Sequence, residues 1–242
     1  MHDHSLHSEH VHERERGKYI GDLVYGANDG IITTFAVVSG ATGAALSPGL
    51  IVVLGLASLI ADGISMGLSN YLALKSKLDY QHEERKREEH EIEEFPAEER
   101  AEVLKILEKW KIPDASIHTV LAAITSDKKR WVDFMMKEEL DIIEDSDDSP
   151  AMHGFITFLA FVLAGFLPLV PFLLGASVSH AFVISIIATG ASLFIVGALR
   201  TLVTGAKWFY SGLQMLGVGI LAAVAAYIVG GIISSLVPGL LL

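Results

Sequence analysis

Apolar and polar positions divide the chain into a long polar insert flanked by apolar, glycine-rich stretches. A helix of about 20 apolar residues can cross the ~30 Å hydrocarbon core of a bilayer. Five stretches meet this length, at residues 21–46, 50–74, 152–174, 181–202 and 212–236. The pattern therefore predicts an all-α membrane protein with five transmembrane helices.

The polar insert, residues 75–150, holds 22 of the 29 acidic and 13 of the 18 basic residues. Its first segment, up to Glu94, is polar almost all round and is expected to continue the second span as a helix. Phe95 should end that helix, because a residue that precedes a proline avoids the α region. A second helix is predicted over 96–111 and a third helical region after it, which makes a three-helix insert between the second and third spans.

Lysine and arginine positions predict the orientation, because cytoplasmic connections carry an excess of them. They occur in the N-terminal tail, in the insert and in the fourth connection, and are absent from residues 47–49 and 175–180. We therefore expect a multi-pass protein with a cytoplasmic N-terminus and insert. The predicted domains are a His-rich disordered tail (1–18), transmembrane helices 1–2 (19–74), an acidic helical domain (75–150) and transmembrane helices 3–5 (151–242).

Composition narrows the function further. The net charge of -11 argues against a nucleic-acid partner, which requires a basic face. The chain has no cysteine, so disulfides, thiolate metal sites and cysteine nucleophiles are excluded. No nucleophile motif, phosphate loop or His–carboxylate constellation is present, so we expect neither an enzyme nor a prosthetic group. The absence of a signal or targeting segment favours a prokaryotic cell membrane over the membrane of a eukaryotic vacuole.

Five of the ten histidines lie in the N-terminal tail at irregular spacing. Such a segment is typical of a disordered, solvated tail. The alternative is weak metal capture, because imidazole binds late first-row divalent metals.

Two of the three carboxylates within the first two spans, Asp29 and Asp62, and the methionine Met66 are candidate functional residues. A charged group at membrane depth is costly and usually faces a cavity or a partner. Asp29 is therefore either a structural hydrogen-bonding group or a cation ligand or proton-exchanging group in a translocation path. Asp62 and Met66 are four residues apart and share a helix face. Asp62 could instead pair with Asn70 or a backbone amide, and Met66 could simply pack.

The insert contains carboxylates at helical spacing. Glu88 and Glu91 are three apart, as are Glu99 and Glu102, so each pair presents two carboxylates on one helix face. Met135 and Glu139 are four apart on the last predicted helix. A solvated charged face explains this pattern as well as a metal site does.

With these residues in view, the chain resembles the vacuolar iron transporter family over most of its length after residue 18. The resemblance rests on YGANDGIITTFAVVSG in the first span, ADGISMG in the second, and the spacing of the six insert residues. It implies a homodimer that exports Fe²⁺, and often other divalent metals, from the cytoplasm in exchange for protons. Asp29 and Met66 would then line the path at the dimer interface. Asp62, which shares a helix face with Met66, is a third candidate residue for this path. The insert would collect metal through Glu88, Glu91, Glu99, Glu102, Met135 and Glu139.

One departure bears on selectivity. Many members of that family have a glutamate shortly after the second-span methionine, and Asn70 stands there in this chain. A manganese-preferring exporter is therefore the first alternative. A membrane-anchored metal buffer or sensor is the second, although an anchor has no use for Asp29 and Asp62.

Overall fold

The computed structural model describes residues 18–143, 148–175 and 177–236, and the regular structure in these ranges is helical throughout. The His-rich tail, most of the acidic linker and the C-terminal end lie outside the described residues. The helices are α1 (Ile20–Gly43), α2 (Pro48–Glu94), α3 (Pro96–Lys109), α4 (Asp114–Thr125), α5 (Lys128–Glu138), α6 (Pro150–Gly165), α7 (Val170–Leu173), α8 (Val178–Leu199), α9 (Thr201–Thr204) and α10 (Trp208–Leu236).

Four helical stretches in the described part of the chain are long and apolar enough to cross a membrane: Pro48–Glu94, Pro150–Leu173, Val178–Leu199 and Trp208–Leu236. The first predicted span, α1, is not among them. It carries Asp22, Asn28 and Asp29, which lower its hydropathy. Its 24 residues nevertheless extend about 36 Å, the depth of a bilayer core. Its neighbours α6, α8 and α10 pack around it, so its polar residues are shielded by protein.

Helix α2 continues without interruption from the second span into the insert, as predicted. Its 47 residues correspond to about 70 Å, more than twice the thickness of a hydrocarbon core. It ends at Glu94, and Pro96 begins α3, because proline is favoured in the first turn of a helix. The end of one helix and the start of the next are thus set by Phe95 and Pro96.

The third predicted span is interrupted where its prolines lie. Helix α6 ends at Gly165, and a 3₁₀ turn over Leu167–Leu169 leads into the short helix α7. A proline ring lacks the N–H that continues a helix, so Pro168 and Pro171 break the regular ladder. The sequence predicted this kink correctly.

The chain divides into two compact units. One contains the described residues up to Tyr71 together with those from Pro150 onward, and the other runs from Leu72 to Ser149. The first unit has a core that includes Phe35, Leu59 and Phe161, while many apolar side chains of α8 and α10 remain exposed. An apolar exterior suits a bilayer, in which lipid contacts such side chains.

The second unit contains more helices than predicted. The third predicted region is two helices, α4 and α5, so the insert consists of the end of α2 plus three short helices. Asp127 separates α4 from α5, because its side chain accepts a hydrogen bond from the backbone N–H of Arg130 and caps α5. Their apolar faces enclose a separate core of Ile92, Val103, Leu107, Ile117, Trp131, Val132, Met135 and Met136.

Helices α2 and α6 approach closely at two glycines. A Cβ atom added to Gly154 would lie 2.5 Å from the carbonyl oxygen of Gly67, and one added to Gly67 would lie 2.8 Å from that of Gly154. Larger residues would separate the helices, since small residues permit close backbone approach. This contact brings Asn70 on α2 to His153 and Thr157 on α6.

Candidate metal centre

Three glutamates of the insert converge although they are far apart in sequence. Glu88 lies on α2, Glu99 on α3, and Glu139 directly after α5. One carboxylate oxygen of each lies within 4.8 Å of the other two. Oxygens on opposite sides of one cation are about 4–5 Å apart, twice a metal–oxygen distance of about 2.0–2.6 Å. The spacing is therefore that of a shared cation site.

The core of the insert explains why these residues meet. Each glutamate lies four residues, or one helical turn, from a buried core residue: Ile92, Val103 and Met135, respectively. Packing of these three residues into one core brings the adjacent turns together at its edge. The positions of the glutamates thus follow from the apolar faces of α2, α3 and α5.

Glu88 and Glu99 are buried, with 2% and 7% of their surface exposed, whereas Glu139 is exposed. Burial, reinforced by Glu99, Glu139 and Glu91, raises the pKa of Glu88 to about 8. Burial also raises the pKa of Glu139 to about 7, with Glu102 and Glu99 adding to the effect. The cluster therefore holds protons near neutral pH in the absence of a cation.

Two oxygens of the cluster lack partners. Glu88 and Glu99 share a hydrogen bond, but Oε1 of Glu88 and Oε2 of Glu99 are buried without a hydrogen-bonding partner. Within residues 18–143, no lysine or arginine forms an ion pair with Glu88, Glu99 or Glu139. A buried polar atom without a partner is costly and calls for an explanation. A cation would supply the missing interaction and neutralise the like charges.

The remaining predicted insert residues surround this cluster in different ways. Glu91 is near enough to interact electrostatically with all three glutamates, and Glu102 interacts with Glu99 and hydrogen-bonds Glu139. Glu91 is partly engaged by Arg87, 3.9 Å away. Met135 is fully buried in the insert core, one turn before Glu139. All six predicted positions thus belong to one region, with Glu88, Glu99 and Glu139 at its centre.

The predicted membrane residues lie on neighbouring helices. Asp29 on α1 and Asp62 on α2 are both half-buried and close enough for their charges to repel. Ser58 donates a hydrogen bond to Asp62 Oδ2 at 2.6 Å, whereas the side-chain amide of Asn70 donates to Asp22 and Thr157. Met66, one turn after Asp62, is half-buried and packs against the core of its unit.

A second polar cluster escaped the sequence analysis. Nδ1 of His153 on α6 lies 2.5 Å from Oδ2 of Asp22 on α1. The side-chain amide of Asn70 on α2 donates to Asp22 Oδ1 and to Thr157 Oγ1, both at 2.7 Å. Asp22 and His153 are 131 residues apart, and neither lies in a motif. In the sequence, the available signals were Asp22 in the first predicted span and His153 at the start of the third predicted span.

Comparison with known proteins gives a consistent result. A family model described as the VIT family matches residues 20–231. The chain is 35% identical to "Vacuolar iron transporter 1" of Arabidopsis thaliana over 211 residues, which cover 87% of this chain and 84% of the relative. It is 34% identical to "Vacuolar iron transporter 2" of Oryza sativa subsp. japonica over 87% of this chain and 86% of the relative. It is 31% identical to the "Vacuolar iron transporter" of Plasmodium berghei over 95% of this chain and 87% of the relative.

Proposed function

The chain belongs to the VIT family, and we propose that it exports Fe²⁺ from the cytoplasm in exchange for protons. The expectations of a membrane transporter and of a non-enzymatic function are confirmed by this membership. The direction, the proton coupling and the preference for Fe²⁺ are our proposal. Manganese, cobalt and related divalent metals are further candidate substrates.

The observation that carries the proposal is the Glu88–Glu99–Glu139 cluster. Its oxygen ligands and its two unpartnered buried oxygens favour a divalent cation over a basic side chain. Glu91, Glu102 and Met135 complete the site in this proposal. A thioether is tolerated by Fe²⁺ and Co²⁺ more readily than by Mg²⁺ or Ca²⁺ and would favour the former.

Protons and metal compete for the same carboxylates. A carboxylate must lose its proton to bind a metal, so metal binding releases protons. The raised pKa values of Glu88 and Glu139, about 8 and about 7, make this competition effective near neutral pH. The insert would therefore release metal as the local pH falls.

The membrane path in this proposal uses Asp29, Asp62 and Met66. Helix α1 supplies Asp29, and α2 supplies Asp62 and Met66. In this proposal α1 also crosses the membrane, packed among its neighbouring helices, which brings the number of spans to five. We propose a homodimer whose insert and N-terminus are cytoplasmic, as the lysine and arginine positions indicate. A membrane-anchored buffer would bind metal in the insert but would not need these intramembrane residues.

The test is transport by the full chain reconstituted in proteoliposomes. Fe²⁺ kept reduced, Mn²⁺, Co²⁺ and Zn²⁺ are compared, with and without a pH gradient. We expect flux driven by the gradient, and loss of that flux in Asp29→Asn with metal binding to the insert preserved. Metal binding without any flux in the unsubstituted protein would support the buffer instead. Flux indifferent to the gradient would exclude antiport.

A further inference from the structure

The segment that carries Glu139 differs from the elements that carry the other two glutamates of the cluster. Helix α5 ends at Glu138, and Glu139 follows it as the exposed member of the three. Glu88 and Glu99 lie within helices and are buried. The position of Glu139 therefore depends on how residues 139–143, which we call the return segment, are held against the rest of the insert.

Backbone hydrogen bonds fold the return segment back onto the end of α5. The N–H of Leu140 donates to the carbonyl oxygen of Met135 at 3.2 Å, and the N–H of Ile142 donates to that of Met136 at 2.8 Å. Asp141, between them, has a φ of 55°. Aspartate adopts this left-handed conformation more readily than most residues other than glycine. The chain therefore turns sharply just after the metal ligand.

One side chain of α2 fastens the far end of the return segment. The side-chain amide of Gln81 donates a hydrogen bond through Nε2 to the carbonyl oxygen of Ile143 at 3.3 Å. Gln81 is only 7% exposed, although charged residues predominate around it in the sequence. A buried amide is costly without a hydrogen-bonding partner. The contact with the return segment thus accounts for a buried glutamine at this position.

Gln81 and the metal ligand Glu88 lie on the same face of α2. They are seven residues apart, which is about two helical turns or roughly 10 Å along the axis. Between them on this face, Arg85 forms an ion pair with Asp133 on α5. The face therefore contacts α5 and the return segment, with the Gln81 hydrogen bond at one end and the Glu88 carboxylate at the other.

We propose that Gln81 is a positioning residue for the metal site. By holding the return segment on α2, it keeps Glu139 within reach of a cation bound by Glu88 and Glu99. The proposal rests on the metal-binding role of the insert put forward above. Gln81 does not bind the metal itself and acts through Glu139. An exposed carboxylate on an untethered segment would lose more conformational freedom on binding, which would lower the affinity.

The test is equilibrium titration of the purified full chain with Mn²⁺. Gln81→Leu keeps a side chain of similar size and removes the donor, and we expect the affinity to fall by about 10-fold, as for other groups that orient metal ligands. Ser76→Leu is the matched control, because Ser76 is an exposed, uncharged residue on another face of α2. It should leave the affinity unchanged. An unchanged affinity in Gln81→Leu would overturn the proposal.

A double-substitution cycle separates positioning of Glu139 from a general structural role. Glu139→Ala removes the ligand that Gln81 is proposed to hold, so adding Gln81→Leu should then change the affinity by less than about twofold. Glu91→Ala leaves Glu139 in place, so adding Gln81→Leu should still lower the affinity by about 10-fold. Equal losses in the two backgrounds would mean that Gln81 stabilises the insert as a whole, and would overturn the proposal.

Hydrogen exchange of backbone amides provides a readout that does not depend on metal affinity. Without metal, Gln81→Leu should accelerate exchange at Ile142 in the return segment and leave the amide of Val103 in the insert core unchanged. Acceleration at both positions would assign Gln81 to the fold of the insert and overturn the proposal. Absence of Mn²⁺ binding to the unsubstituted protein would instead overturn the proposed metal site, so the two failures are distinguishable.

Discussion

The insert and the membrane unit each contain a carboxylate cluster, and the two clusters differ in whether their oxygens have partners within the protein. In the insert, Glu88 and Glu99 lie against other glutamates, and each keeps a buried oxygen without a partner. In the membrane unit, both oxygens of Asp22 are engaged by His153 and Asn70. A cluster of like charges with unpartnered buried oxygens favours a cation from outside, whereas the oxygens of Asp22 already have partners within the protein. The difference supports our proposal that the insert captures the metal.

The largest expected effect is on metal binding by the insert. Simultaneous substitution of Glu88, Glu99 and Glu139 by glutamine removes the anionic ligands while retaining their shape. We expect the affinity of the purified full chain for Mn²⁺ to fall by at least about 100-fold, because neutral amides are poorer ligands for hard divalent cations. Equilibrium titration with the metal measures this change.

Matched controls sharpen this prediction. Glu108→Gln neutralises an exposed glutamate on α3, the helix that carries Glu99, and should leave the affinity unchanged. Asp22→Asn should likewise leave the insert affinity unchanged, because its carboxylate belongs to the other cluster. Equal losses in the triple variant and in Glu108→Gln would mean that overall charge, and not this site, attracts the metal.

The next effect is that of pH. The pKa values of Glu88 and Glu139 are raised to about 8 and about 7, so both carboxyls are protonated at pH 6 and largely ionised above pH 8. Metal must displace these protons, so its affinity should increase with pH. With both protons displaced by the metal, we expect the Mn²⁺ affinity to rise by about 500-fold between pH 6 and pH 8.

Titrations at several pH values measure this slope, together with the protons released per metal bound. The Glu88→Gln variant provides the control, since it should flatten the slope by removing the most strongly shifted group. A pH-independent affinity in the unsubstituted protein would show that the cluster does not exchange protons for metal.

The smallest effect concerns the sulfur ligand. Met135→Leu preserves volume in the insert core, and such exchanges usually cost less than about 1.5 kcal/mol of stability. We expect Co²⁺ affinity to fall by about 3- to 10-fold and Ca²⁺ affinity to stay constant, since thioethers favour softer metals. Competition titrations with both metals separate the two outcomes. Equal changes for both metals would assign Met135 to the core alone.

Local patterns predicted much of the helical architecture correctly. The apolar stretches gave helices close to their predicted limits, Phe95 and Pro96 separated α2 from α3, and Pro168 and Pro171 interrupted the third span. The sequence did not predict that the third insert region divides into α4 and α5. The division depends on one capping residue, Asp127, which lies within a pattern that is otherwise helical. Helix boundaries set by one cap are difficult to predict from periodicity.

The candidate site was predicted only in part. Helical spacing selected pairs such as Glu88 with Glu91, because residues three apart share a helix face. It could not indicate that Glu88, Glu99 and Glu139 would become the centre, since they come from three separate elements. The three glutamates meet because Ile92, Val103 and Met135, each one turn away from one of them, pack into one core.

The sequence by itself determined where the chain is apolar, where it is charged and where its helices end, because these properties depend on neighbouring residues. The tertiary structure alone decided which charges meet. Glycine contacts between α2 and α6 brought Asn70 to Thr157, and helix packing joined Asp22 to His153 across 131 residues. Such pairings depend on the packing of distant helices, which the local pattern of residues does not specify.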